Sequence, residues 1–593
     1  MSILSHKRLT DWCISFLFGV VVWMFFAIFY RHHLHYQEQI QLFLFTADYF
    51  MELIARPGGL AIYLGRFFTQ FFYDSFLGAF SLALLLVILQ RLVSDAANYI
   101  SHKPTYRLIT YIPSLAFALL LCNEDMLLSG LVAVILSMLF ILCCNRIRND
   151  KVQFLFIILM LPILYWLVGF ASCIFLIYSI LMIWVCKKGK NRVKMLTITI
   201  IAILIWIACP YIAKEIVSFY PVSRFWFAGD YYRYVVQLPL IIPFYFLFVA
   251  LFPFLFKFMP EIKSKSGRLS IVFTQIGLLL FITVWGVIKV ADWDKEEIMA
   301  YSYYARTQKW NSIIALADKK SPDGPLTVST LNMALSKKDY LREYMFTYYQ
   351  NGTEGLLPDS RRDYNVLTMT GEIYYHLGLI NTAQHFTFEA MEAIPDYQKS
   401  VRCIKRLAET NLISGQYEVA AKYLEILKQT LFYRKWAIET SGYLRNEERI
   451  NNHPEWGKLR SFKPEEDFLF SDREKDMMLG LLFQRNPANS MAYEYLLAYT
   501  LLVKDLPRFT DYLKMNEQSL QELSVSRSYQ EALALIWSRS EYNPALKPPF
   551  SDNTVVKKLE SYRNIYTSNA VAEEILKQQY GDTYWYYFHF RNK

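Results

Sequence analysis

The sequence predicts an all-α protein in two parts. A polytopic helical membrane domain with about nine spans occupies residues 1–290, and an exported α-solenoid occupies residues 291–593. Three observations predict this. Long apolar runs recur through the first half and stop near Val290. The whole basic excess lies among them: residues 1–290 hold 24 Lys+Arg against 12 Asp+Glu, whereas the remainder holds 38 against 40. The second half is polar, poor in glycine and helical in pattern. With 54% hydrophobic and only 19% charged residues, the chain is neither disordered nor a disulfide-stapled scaffold. A nucleic-acid binder would carry its positive excess on a soluble face, so nucleic acid is not an expected partner.

The apolar runs fall near residues 12–31, 76–93, 107–122, 126–144, 152–168, 170–186, 195–213, 235–257 and 270–289. Most approach the roughly 20 residues that a helix needs to cross a bilayer core. The runs near 107–122 and 152–168 are short, and the turn between 168 and 170 is very tight. Lys and Arg alternate in density from one connection to the next. With the N-terminus inside, inner segments carry 17, including Arg91, Lys103, Arg107, Arg146, Lys187, Lys188, Lys190 and Lys257, while the longer outer segments carry 7. This is the positive-inside pattern of a multi-pass membrane protein. An odd number of spans places the chain after Val290 outside the cytoplasm.

The first run is long, ends in Phe29-Tyr30-Arg31-His32-His33 and has no small-residue cleavage site, so it reads as a retained helix rather than a signal peptide. Seven of the eight cysteines lie in or beside spans, which leaves Cys403 alone in the exported half. That half has no pair for an intramolecular disulfide and relies on its own core.

Two outer loops are long. In the first, residues 32–75, Leu42, Phe43, Phe45, Tyr49, Phe50, Leu53 and Ile54 recur at three- and four-residue spacings around Gln41, Asp48 and Glu52. Arg56-Pro57-Gly58-Gly59 then breaks the pattern with turn chemistry, and a second amphipathic stretch runs from Leu60 to Phe72. Two short helices lying along the membrane surface are expected. The other loop, Lys214 to Tyr234, carries Arg224-Phe225-Trp226-Phe227 and Gly229-Asp230-Tyr231-Tyr232-Arg233. It reads either as an aromatic belt with anchoring arginines or as a lipid-phosphate pocket, because arginine grips phosphate through two parallel hydrogen bonds.

Acids are scarce in this half, and several fall in outer loops: Glu38, Asp48, Glu52 and Asp74 in the first, Glu124 and Asp125 in the short turn after Cys122. Such a carboxylate serves as a general base, as a metal ligand, or as a solvated or paired structural group. His32, His33 and His35 add candidate metal ligands to an otherwise interfacial cluster.

The exported half repeats itself. Leu367 to Pro395 sets out Gly371, Tyr374, Leu377-Gly378, Ala383, Ala390 and Pro395. These spacings resemble the tetratricopeptide consensus, in which small residues let the two helices of a hairpin approach. Thr387 and Leu367 depart from it. Leu407, Ala408, Gly415, Tyr417, Ala420 and Leu424 form a weaker second unit. Further hairpins are expected at Ile298–Lys319, Leu326–Gln350 and Ser490–Leu513. A solenoid of this kind offers a concave face to a protein partner, or serves as a spacer over the membrane half.

Gln39-Ile40-Gln41-Leu42-Phe43, Arg56-Pro57-Gly58-Gly59-Leu60, Ala305-Arg306-Thr307-Gln308-Lys309-Trp310 and Ala492-Tyr493-Glu494-Tyr495-Leu496 resemble an uncharacterised bacterial family of multi-pass membrane proteins with a C-terminal helical-repeat domain. That resemblance implies an architecture and no activity. More distantly, the chain resembles GT-C glycosyltransferases that carry tetratricopeptide repeats and use a polyprenyl-phosphate sugar on the outer face. This second resemblance implies Glu38 or Asp48 as a first-loop catalytic acid and Glu124 with Asp125 as a second acidic motif. It places Arg56, Arg224 or Arg233 on the carrier phosphate, and a divalent cation or arginine against the leaving charge. Members often show adjacent acids after the first helix; this chain has Gln37-Glu38-Gln39 and an isolated Asp48.

Two functions therefore lead. One is a cell-envelope scaffold that recruits a protein partner through its repeats, with membrane lipid around it. The other is a lipid-linked glycosyltransferase. A transporter is a third reading, although the spans hold almost none of the internal charges that mark transport paths. No phosphate loop, nucleophile elbow, zincin histidine pair or paired Cys-x-x-Cys occurs.

Overall fold

In a computed structural model, residues 2–186, 192–217, 220–234, 237–395, 398–463, 473–516, 526–538, 553–568 and 572–591 are described. Lys187, Lys188 and Lys190 of the densest basic connection, residues 218 and 219 of the second long loop and the start of the span expected from 235 lie outside them. The protein is all-α. Among the described residues no strand forms, and one isolated antiparallel bridge joins Met126 to Tyr232.

Two compact units divide the chain. The first comprises Met1–Glu296 with two later stretches, Ile394–Ile404 and Glu425–Ile438; the second comprises Glu297–Ala393, Lys405–Leu424 and Glu439–Lys593. Both later stretches had read as part of the exported half.

Among the described residues, thirteen α-helices run from Ser2 to Val290 in the first unit: α1 Ser2–Met24, α2 Arg31–Gln39, α3 Ala47–Ile54, α4 Gly59–Thr69, α5 Ser75–Ile100, α6 Ile112–Leu120, α7 Leu128–Arg146, α8 Asp150–Val168, α9 Ser172–Cys186, α10 Arg192–Val217, α11 Val222–Trp226, α12 Ile241–Phe258 and α13 Lys265–Val290. Among the described residues, seven apolar helical stretches are long and apolar enough to cross a membrane, one of them the 37-residue run Asp150–Cys186. That run is two helices. Gly169, at φ +70, breaks it, and an added Cβ there would lie 2.0 Å from the Ala228 carbonyl oxygen.

Contacts at the helix ends sort into two levels. One level joins Arg107 to Asp11 (2.5 Å), Lys103 to Glu261 (2.9 Å), Gln153 to the Cys144 carbonyl and Lys257 to the Val185 carbonyl. The other joins Tyr30 to the Cys122 carbonyl and to the Asp292 N–H, and joins the Ala171 N–H to Tyr231. Among the described residues, nine segments run between the levels: the seven stretches, with Asp150–Cys186 counted as two, and Pro104–Leu120. The last of these is not a continuous α-helix: it is the 3₁₀ turn Pro104–Tyr111 followed by α6. Eight residues at about 2.0 Å and nine at about 1.5 Å give roughly 30 Å, the thickness of a hydrocarbon core. Parity agrees. The Phe45 N–H, after one crossing, donates to the Gln429 carbonyl at 2.9 Å, after all of them, so the crossings between must be even.

The first outer loop forms the two expected helices, α3 and α4, on either side of the Arg56–Gly58 break. The surface expectation fails for α4. Ala61, Ile62 and Gly65 are buried, and a Cβ on Gly65 would meet Ser129 of α7 at 2.6 Å, so α4 packs against that helix. Before them, α2 is buried along its length, with both Glu296 carboxylate oxygens accepting its first N–H groups from His32 (2.8 Å) and His33 (2.9 Å).

In the second unit, helices Tyr364–Leu377 and Ile380–Glu392 form a hairpin. Gly378 closes the first at φ +87, Tyr374 meets Phe386 with ring centres 5.1 Å apart, and Ala383 and Ala390 are fully buried. A second turn, at Gly415, also takes a positive φ of +76. Trp310–Lys319 packs on Pro325–Lys337, and Ser490–Val503 on Leu506–Leu513. Arg406 lies over the Tyr375 ring (3.7 Å) and pairs with Glu409 at 2.8 Å and with Glu372.

Candidate functional site

A cavity of about 470 Å³ in the first unit lies where the loop 40–66 meets the segment 217–230. Its walls come from the stretch before α3 (Leu42, Leu44), α3 itself (Tyr49, Glu52, Leu53), the turn Ala55–Pro57, α4 (Ile62, Arg66), the segment Tyr220–Asp230, and Gln398 with Lys399.

Backbone chemistry explains why these parts meet. Gly58, at φ +80, begins α4, and an added Cβ would sit 2.5 Å from the Gly229 Cα. Only two glycines permit that approach. The Gly58 N–H donates to the Trp166 carbonyl at 2.8 Å, and the Trp166 indole returns a bond to Ile54 at 2.9 Å. On the facing segment the Phe170 N–H holds the Ala228 carbonyl at 2.9 Å, and Ser129 donates to the Asp230 carbonyl. Asp230 follows Gly229 at φ +45, a left-handed conformation that glycine, asparagine and aspartate adopt more readily than other residues.

The charges converge as follows. Asp230 is buried, with its carboxylate 3.1 Å from Arg56 and 4.0 Å from Arg66. Arg66 also donates to the Tyr49 hydroxyl at 3.2 Å, and that hydroxyl donates to the Leu42 carbonyl at 2.8 Å. Arg224 stacks over the Tyr220 ring at 4.1 Å. Four cations (Arg56, Arg66, Arg224, Lys399) thus line the cavity against two carboxylates (Asp230, Glu52).

The residues singled out from sequence do not all gather here. Arg56 and Arg224 do. Arg233 lies in a second cluster, 3.6 Å from Asp125 and 2.6 Å from the Tyr36 hydroxyl, with Tyr232 donating to Asp125 at 3.3 Å. Burial raises the Asp125 pKa although Arg233 opposes this; burial together with the Asp125 charge pushes Tyr232 up to about 12. Glu124 pairs with Lys295. Glu38 is a paired structural group: it is buried and accepts from the Tyr433 hydroxyl at 2.8 Å. Asp48 is exposed in the first turn of α3.

His32, His33 and His35 are buried in α2. His33 stacks on Tyr30 at 5.0 Å, and burial pulls its pKa down to about 4, so it is neutral. Among the described residues no group of three or more His, Cys, Asp and Glu side chains is placed to hold a metal ion, so no step is drawn through a divalent cation.

Sequence reasoning read Arg66 only as the polar side of a helix and Asp230 only as part of an aromatic motif, and it missed Lys399. The available signal was an acid directly after glycine in a loop facing Arg-Pro-Gly-Gly, two places where backbones can touch.

Fold and cavity together define an all-α membrane protein with a cationic cavity at one level of its helix ends. The chain belongs to a family of unknown function, DUF6057, whose profile matches residues 5–591. No curated protein and no solved structure matches it.

Proposed function

We propose that the protein is a multi-pass protein of the bacterial cytoplasmic membrane, with its N-terminus inside, that presents a tetratricopeptide-like helical-repeat unit outside the cytoplasm to recruit a protein partner in the cell envelope. The observation that carries this reading is the hairpin Tyr364–Leu377/Ile380–Glu392, closed by Gly378 at φ +87 with alanines at its helix contact. Its construction supports a repeat with a partner-binding face. The basic side chains of one level, Arg91, Lys103, Arg107 and Lys257, support the orientation. The dispersal of Glu38, Asp48, Glu124 and Asp125 favours a scaffold over a catalyst. Photo-crosslinkers placed along residues 297–393 in living cells should trap one discrete protein, and a pattern showing only lipid or solvent adducts would sink the reading. A reporter fused after Lys593 tests the orientation.

The cavity favours a second reading, a GT-C-like transferase acting from a polyprenyl-phosphate sugar. Asp230 or Glu52, not the four acids expected, would then be the base, beside Arg56, Arg66 and Arg224. Turnover of such a donor by purified protein, lost in Asp230→Asn, would support it; no turnover would remove it.

A further inference from the structure

We propose that the cavity between the Arg56–Gly58 turn and the Gly229–Asp230 turn binds an amphiphile through an anionic phosphate group. The inference shares its cavity with the transferase reading but requires no turnover, so binding without turnover removes that reading and keeps this one; it is independent of partner recruitment by the second unit.

Charge gives the ligand class. Among the described residues Arg56, Arg66, Arg224 and Lys399 line the walls with Glu52 and Asp230, so cations outnumber carboxylates four to two. An anionic phosphate suits such walls better than a zwitterionic phosphodiester. Guanidinium forks match pairs of phosphate oxygens, and three of the four cations are arginines.

Geometry shows the site is built before a ligand arrives. Asp230 holds Arg56 at 3.1 Å and Arg66 at 4.0 Å, and Tyr49 takes a further Arg66 N–H at 3.2 Å. One carboxylate positions two guanidiniums without cancelling them, so little side-chain entropy is left to lose on binding. Asp230 does this from a left-handed backbone conformation, φ +45, which aspartate tolerates better than most residues with a Cβ.

Shape gives the rest. Leu42, Leu44, Ile62, Val217 and Phe225 supply an apolar wall beside the cations. The volume, about 470 Å³, is that of a small-molecule site and not of a whole lipid. A phosphate head with the first carbons of its chain fits inside, and the chain leaves along the apolar wall.

The test uses the full-length protein in phosphatidylcholine nanodiscs, with binding read by titration calorimetry. The probes are dihexanoyl phosphatidic acid, dihexanoyl phosphatidylcholine and inorganic pyrophosphate. Phosphatidic acid should bind, and the choline ester should not. Arg224→Ala and Lys399→Ala should each weaken binding about 10-fold, Arg224→Lys should recover part of the loss, and affinity should fall with salt. Lys399 is exposed, so its variant keeps the fold, which the melting curve checks. Pyrophosphate that competes as well as phosphatidic acid would assign the site to soluble phosphate compounds; failure to compete would assign it to lipid. No binding by either phosphate probe, equal binding of the choline ester, or unchanged affinity in both alanine variants would overturn the proposal.

Discussion

Replacing Gly58 by alanine attacks the one contact on which the cavity depends. Two costs add. Gly58 sits at φ +80, where an L-residue pays about 1–2 kcal/mol. The new Cβ would also lie 2.5 Å from the Gly229 Cα. Carbon atoms pack at about 3.5–4.0 Å, so one turn must retreat by roughly 1 Å, an overpacking that costs about 1–3 kcal/mol. Together these give about 3 kcal/mol. The retreat also draws Arg56 away from Asp230, now 3.1 Å apart, so phosphate-probe binding should fall with stability. The assay is unfolding by sodium dodecyl sulfate in mixed micelles, with Gly277→Ala as control. Gly277 is exposed in α13, and its added Cβ would meet nothing within 4 Å, so alanine there should be neutral or mildly stabilising. Gly58→Ala protein as stable as the control would refute the reasoning. Combined with Gly229→Ala, the loss should be far from additive, because both changes break one contact.

Three other perturbations have defined outcomes. Tyr433→Phe removes the hydroxyl that Glu38 accepts from, and should cost about 1–3 kcal/mol in the same unfolding assay, with Tyr433→Phe/Glu38→Gln recovering part. Burial raises the Glu296 carboxyl to about 8 against the pull of its two backbone N–H bonds. Its ionisation in the folded state is therefore penalised: the protein is favoured below the ordinary carboxylate range, and stability on the order of a few kcal/mol is lost as pH rises from about 4.5 through 8. His33, lowered to about 4, works oppositely and withdraws stability as pH falls from about 6.5 to 4. A pH series on Glu296→Gln should lose the first slope and keep the second. In the second unit, Gly378→Ala places a Cβ 2.6 Å from that of Phe462 at φ +87, and should lower the melting temperature of the full chain, with proteolysis appearing first around residues 364–392.

Much of the membrane half was legible because its signal is one-dimensional. Apolar length and the alternation of Lys and Arg locate segments without any tertiary knowledge, and they found even the Pro104–Leu120 crossing that falls short as an α-helix. Break and turn positions were legible too, since Arg56-Pro57-Gly58-Gly59 and Leu377-Gly378 announce their backbone needs. The site was only half legible. Arg56 and Arg224 were found by chemistry, but Asp230 meets Arg56 across 174 positions of chain, through a glycine pair that carries no side-chain signal. The partner of Glu38 was not legible because nothing near it in sequence reveals Tyr433, 395 positions away. Lys399 was invisible for the same reason: it sits in a stretch that by composition belongs with the repeats.

Because Ile394–Ile404 and Glu425–Ile438 are integral to the first unit, that unit is discontinuous in the gene. A fragment truncated at Val290 would insert its helices yet leave Glu38, Gln39 and Phe45 without Tyr433, Arg402 and Gln429. During biosynthesis the wait is real: roughly 140 further residues must emerge before Tyr433 is available, some 7–30 s at ordinary translation speeds. The contacts of Glu38, Gln39 and Phe45 must remain unmade for that interval, so the loop that follows the first helix is the last part of the unit to be completed.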